Sequence, residues 1–163
     1  METDVSAMRE HRYRITVSWT GNLGNGTSSY GAYSRDHEIA AANKPSIPGS
    51  SDPLFRGDRS RWSPEELLVA SLSTCHKLWY LHLAAENRVI VTAYTDRPEG
   101  VMEEQADGSG RFARVVLRPS VSVVAGTDKE RATALHRAAH EKCFVANSVN
   151  FPVTCEPEIV EAG

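Results

Sequence analysis

Apolar and polar positions alternate at period two over residues 12–19, with Tyr13, Ile15, Val17 and Trp19 on one side and Arg14, Thr16 and Ser18 on the other. This pattern predicts a half-buried strand. Residues 21–26, GNLGNG, predict a turn, and residues 27–39 a second, more polar strand paired back on the first. The glycine spacing is not that of a phosphate loop, because Thr, Ser and Tyr follow it rather than a helix start. Residues 40–62 shift to Pro, Gly, Ser, Asp and Arg, an irregular run whose length in a small domain marks a binding or catalytic loop. Ser63-Pro64-Glu65-Glu66 then signals a helix, since Ser63 suits the cap, Pro64 the first helical position and Glu66 a capping box. The residues that follow, LLVASLSTCHKLWYLHLAA, are apolar or small on nearly every face, with Lys77 the only Lys, Arg, Asp or Glu. They predict a helix to about Asn87, roughly 35 Å long and covered on most sides.

Beyond it, residues 89–94 predict a strand, 96–110 an acidic hairpin loop, and 112–124 a long strand with an edge or bulge at Pro119. Thr127-Asp128-Lys129-Glu130 is a second capping box. Its helix carries Ala132, Leu135, Ala138 and Ala139 on one face and ends near Cys143. Residues 144–149 predict a short helical turn and 151–160 a last strand. With no repeat and no second-domain boundary, residues 1–163 are expected to form one α+β domain.

Charge and cysteine count narrow the function. Lys+Arg 18 against Asp+Glu 21 give a net charge of -3, which offers no basic footprint for a nucleic acid. No run approaches the roughly 18 apolar residues of a spanning helix, and the opening METDVSAMREHRYR has no apolar leader. A cytoplasmic protein without membrane contact is expected. Cys75, Cys143 and Cys155 are too few and too scattered for a secreted disulfide framework.

The helix-start residues Ser63-Pro64-Glu65-Glu66-Leu67-Leu68, the run Ala70-Ser71-Leu72-Ser73-Thr74-Cys75, and Cys143 after a second capped helix together resemble the OsmC/Ohr family, the osmotically inducible protein C and organic hydroperoxide resistance proteins. The likeness extends over nearly the whole chain and includes the order of elements. It implies an α+β fold of antiparallel sheets wrapped around a long central cysteine-bearing helix, in an intertwined homodimer. It further implies a thiol peroxidase for organic hydroperoxides, acting in oxidative-stress defence without metal, flavin or other cofactor. By this resemblance Cys75 matches the peroxidatic cysteine, Cys143 the resolving cysteine and Glu65 the motif carboxylate. An external dithiol, such as a lipoyl-type group, would reduce the disulfide. Cys155 matches nothing in the motif and reads as a strand residue.

Peroxide reduction needs a thiolate, and Cys75 lies about three turns from the start of its helix, beyond the reach of the macrodipole. A cation must therefore be brought to it. The Arg-rich loop supplies the candidates, Arg56 first and Arg35 second, with Arg59 and Arg61 read as ordinary surface charges. Glu65 is about 15 Å along the helix from Cys75, so it can share a site with a Cys75 only across a subunit boundary. Two competing readings stand beside the peroxidase. One is a non-catalytic binder of small apolar ligands on the same fold. The other is a zinc protein using His136, His140 and Cys143, at i, i+4 and i+7 on one helix face, with His76 or Cys75 as a fourth ligand.

Overall fold

The computed structural model describes residues 8–162, and the chain forms two compact units, Met1–Pro64 and Glu65–Gly163. In the first, β1 (Thr16–Trp19), β2 (His37–Ala40) and β3 (Ile47–Gly49) make an antiparallel sheet in the order β1-β2-β3. The predicted pairing of the first two strands is present, but both are much shorter than expected. Residues 27–36 are turns and irregular backbone, held by side-chain contacts and by two backbone bonds at 2.9 Å, Ser34 N–H to the Gly21 carbonyl and Thr20 N–H to the Asp36 carbonyl. The turn before them is built on Asn22, whose Oδ1 accepts the amides of Gly24 and Gly26 at 2.9 and 3.0 Å. Tyr13, Ile15, Val17 and Trp19 are exposed rather than half-buried, so the alternation is genuine but its apolar side is left open among the described residues. The loop at 40–62 is less irregular than expected, since it contains β3 and a 3-10 turn at Pro53–Phe55 capped by Asp52.

The second unit opens with α1 (Pro64–Glu86), which begins directly after Ser63 with Glu65 and Glu66 in its first turn. Six strands follow: β4 (Val91–Asp96), β5 (Glu99–Glu104), β6 (Gly110–Leu117), β7 (Pro119–Val123), β8 (Val153–Cys155) and β9 (Glu158–Glu161). They form two three-stranded sheets, β4-β7-β9 and β5-β6-β8. Two expectations are corrected here. The acidic segment after β4 contains a strand, β5, and only its tip at 105–109 turns. The long strand through Pro119 is two strands in different sheets: a proline has no amide for the ladder and cannot continue a central strand. The same division recurs at Glu156-Pro157, which separates β8 from β9. Each half then pairs in parallel, β8 with β6 and β9 with β7, so the sheets are mixed rather than purely antiparallel.

Between β7 and β8 lies α2 (Lys129–Lys142), which ends at Cys143 as expected. Its cap is Asp128, whose carboxylate accepts the Arg131 amide at 3.1 Å, and not Thr127. Thr127 is occupied in closing the preceding turn, donating its hydroxyl to the Val124 carbonyl at 2.6 Å.

The buried residues of α1 are Leu72, His76, Tyr80, Leu83 and Ala84, a single stripe at helical spacing. Leu72 packs with Val115 and Leu117 of β6, while Tyr80, Leu83 and Ala84 join Val121 and Val123 of β7 and Ala132, Leu135 and Ala139 of α2. The helix was expected to be covered on most sides. Among the described residues, this stripe is the part of α1 that is buried, and Leu78 on the far side is exposed.

Candidate functional site

The two helices meet at successive levels. Tyr80 donates its hydroxyl to the Ala132 carbonyl at 3.0 Å, His76 meets His136 at 2.9 Å, and Cys75 lies beside Cys143. As the α1 number falls the α2 number rises, so α1 and α2 run antiparallel. This arrangement brings the two cysteines of the sequence motif together, although they are 68 residues apart. None of the three cysteines is joined in a disulfide. Cys143 is fully buried, and its Sγ accepts the Ala146 amide at 3.4 Å. Burial pushes its thiol up to about 11, with the neighbouring Cys75 adding to the rise and the Ala146 amide opposing it. Cys75 is partly exposed.

One residue along α1, roughly 100° around the helix, His76 points to a different group. His76 Nε2 is 2.9 Å from His136 Nδ1, and Cys155 Sγ lies 3.7 Å from the first nitrogen and 3.8 Å from the second. The two imidazoles are nearly parallel, 6° apart, and His136 also stacks on Tyr80 with centroids 3.9 Å apart. Desolvation pushes His76 down to about 4 and His136 down to about 3, so both are neutral near pH 7. Burial raises Cys155 to about 12, with Asp96 and Glu156 contributing.

This corrects the metal-ligand reading of the sequence. Among the described residues, the His/Cys group that comes together is His76, His136 and Cys155, while His140 and Cys143 are not part of it. Sequence reasoning missed Cys155 because its partners lie on two other elements. Nothing in local spacing links β8 to α1.

Glu65, in the first turn of α1, is half-buried, and its Oε2 is buried with no hydrogen-bond partner among the described residues. The candidate cations belong to the first unit. Arg35 is anchored there: it donates to the carbonyls of Tyr33 and Tyr30, both at 2.7 Å, and its guanidinium lies 4.0 Å from the Tyr33 ring and 4.5 Å from the Tyr30 ring. Arg56 is exposed and holds a left-handed backbone at φ 64° after the 3-10 turn, and its guanidinium lies 5.6 Å from the Tyr30 ring that Arg35 also contacts. Arg61 makes ion pairs with Asp36 at 3.6 Å and Glu38 at 3.0 Å, as a structural charge would.

A long cysteine-bearing helix, packed on two three-stranded sheets and meeting a second cysteine at the end of an antiparallel helix, defines the class as an α+β fold with a helix-borne thiol pair. The chain belongs to the OsmC-like protein family, whose sequence profile matches residues 57–158. An OsmC-like protein of unknown function from Vibrio cholerae is similar to it at 33% identity, with a TM-score of 0.80 over 92% of this chain and 99% of the other. Two proteins described as organic hydroperoxide resistance proteins share the fold. That from Legionella pneumophila matches at 16% identity and a TM-score of 0.64 over 92% of this chain and 98% of its own. That from Bacillus subtilis matches at 19% identity and 0.59, over 91% and 98%. No curated protein matches the chain. Among the described residues no helix is long and apolar enough to cross a membrane.

Proposed function

We propose that the protein is a cysteine-based peroxidase that reduces organic hydroperoxides. The observation that carries this reading is the contact between Cys75, partly exposed, and Cys143, buried and held as a thiol. The Cys75 thiolate attacks one peroxide oxygen, forming an S–O bond as the O–O bond breaks, and the alcohol leaves with a proton. The resulting Cys75 sulfenic acid condenses with the Cys143 thiol, releasing water and forming the disulfide. An external dithiol then reduces that disulfide and is itself oxidised. Cys143 neighbours Cys75, so condensation joins two nearby sulfurs, and a protonated neighbour does not compete for the peroxide.

The thiolate needs positive charge beside it, and Arg56 is assigned that role, with Arg35 the alternative. Glu65 would steady the arginine, and the buried, unpartnered Oε2 of Glu65 supports a polar partner from another chain. A homodimer also accounts for the exposed apolar residues of β1 and for Leu78 on α1. Sedimentation should show a dimer at micromolar concentration; an active monomer would remove the assigned role of Glu65.

The experiment is turnover with an organic hydroperoxide and excess dithiol. Cys75→Ser should abolish peroxide consumption. Cys143→Ser should allow one equivalent to react and leave oxidised Cys75 detectable by mass. Full dithiol-dependent turnover by Cys75→Ser would overturn the peroxidase reading, and full turnover by Cys143→Ser would remove its resolving role.

A further inference from the structure

We propose that His76, His136 and Cys155 form a second site, a three-ligand centre of two buried histidines and one half-buried cysteine, for a borderline-soft divalent ion of the zinc class. The donor set is two imidazole nitrogens and one thiolate sulfur, a combination that selects zinc-like ions over calcium or magnesium. The triangle is close to the right size. His76 Nε2 and His136 Nδ1 are 2.9 Å apart, and Cys155 Sγ is 3.7 and 3.8 Å from them. In a tetrahedral zinc site the corresponding edges are about 3.3 Å and about 3.6 Å, from bonds of about 2.05 Å to nitrogen and 2.3 Å to sulfur. An ion placed at those bond lengths from the three atoms sits about 0.7 Å out of their plane, the offset of a tetrahedral centre with its fourth position open.

Hydrogen bonding alone accounts poorly for the cluster. Both imidazoles are nearly inaccessible, at 1% and 3% exposure, yet the four ring nitrogens share one N–H···N contact. His76 Nδ1 and His136 Nε2 have no partner among the described residues. Two buried polar rings with one mutual bond are a costly arrangement for a core, and aliphatic residues would fill the space at lower cost. Ligation uses Nε2 and Nδ1 together and gives the sulfur, too far for a strong hydrogen bond, a bond of its own. The three ligands come from α1, α2 and β8, so they are held by rigid elements rather than by a loop. On binding, the Cys155 thiol proton passes to solvent as the sulfur–metal bond forms, one proton per ion, with no change of oxidation state. The two outer imidazole N–H groups lack acceptors, so affinity should fall about 10- to 100-fold below that of a centre with carboxylates behind its histidines. The Cys75–Cys143 pair takes no part.

The test is titration of the reduced full-length protein with Co²⁺ as a spectroscopic stand-in. One ion per chain should give the visible bands of a tetrahedral site together with a near-ultraviolet sulfur-to-cobalt charge-transfer band, and Zn²⁺ should bleach both. Cys155→Ser should lose the charge-transfer band, whereas Cys75→Ser and Cys143→Ser should keep it. A wild-type protein with no tetrahedral spectrum would overturn the proposal, as would a band that depends on Cys75 or Cys143. X-ray absorption on the zinc-loaded wild-type protein reads the ligands without mutation, so the test holds even if Cys155→Ser does not fold. One sulfur and two imidazoles support the site; a first shell with no sulfur, or with two, refutes it.

Discussion

Ser73 donates its hydroxyl proton to Asp96 across 2.6 Å, and the other oxygen of that carboxylate accepts the Arg118 amide at 2.7 Å. One side chain at the end of β4 thus ties α1, two residues before Cys75, to the residue that separates β6 from β7. Its charge also reaches deeper groups. Burial raises the Tyr94 hydroxyl first and Asp96 raises it further, and the same order holds for Cys155.

Asp96→Asn keeps the shape and removes the charge. It should lower unfolding stability by about 1–2 kcal/mol, because two charge-assisted hydrogen bonds become neutral ones. Ser73→Ala should cost about 1 kcal/mol. Urea denaturation measures both, and an unchanged midpoint in Asp96→Asn would show that the carboxylate does not hold the helix.

The buried histidine pair should make the protein acid-sensitive. His76 and His136 are depressed in the folded state to about 4 and about 3, against 6.5 when unfolded, so below pH 6.5 the unfolded chain binds protons that the folded one refuses. Their full contribution is present above about pH 6.5. It is lost as pH falls, at up to about 1.4 kcal/mol per pH unit for each histidine, and the loss levels off only near pH 3 to 4. Denaturation curves at pH 7.5, 6 and 5 should show the decline, and His136→Gln should flatten it. An equally steep decline in that variant would assign the effect to other groups.

Alkylation should separate the three cysteines. Cys143 and Cys155 are raised to about 11 and about 12 by burial, so at pH 8 both remain thiols. Iodoacetamide should therefore label Cys75 first, with the other two reacting only after unfolding. Peptide mass mapping after brief exposure reads this directly, and equal labelling of Cys143 would contradict its burial.

The two candidate arginines differ in how they are held. Arg35→Ala removes two carbonyl hydrogen bonds and two ring contacts and should cost about 1–2 kcal/mol. Arg56→Ala removes an exposed side chain and should cost less than about 0.5 kcal/mol, while slowing Cys75 alkylation at pH 7 several-fold. If only Arg35→Ala shifts the alkylation curve, the cation beside the thiol is Arg35; if neither does, the thiolate is stabilised by another group.

The sequence carries the helices well and the strands poorly, for physical reasons. Pro64 and the glutamates after it mark the start of α1 through backbone chemistry that acts within one turn, and the match at Lys129–Lys142 is as close. Strands depend on distant partners. The polar segment after Asn22 has strand-compatible residues but finds a partner only at His37–Ala40, and β5 lies among Glu residues that hide its alternation. The Cys75–Cys143 pair was legible because a family motif joins the two positions. The Cys155 group was not, since three side chains from three elements converge with no local signature.

The two sheets of the second unit receive their third strands from the same late stretch of chain, β8 beside β6 and β9 beside β7. Val115 must wait for Val153, and Val121 for Ile159, so these parallel pairings close loops of nearly forty residues and should be slow steps in folding. During synthesis from the N-terminus, α1, α2 and their antiparallel strands can assemble before β8 emerges. His76 and His136 would then face each other for a time without Cys155. A ribosome-bound chain stopped after α2 would hold the imidazole pair and the Cys75–Cys143 contact but lack the sulfur, which makes Cys155 a reporter of complete assembly.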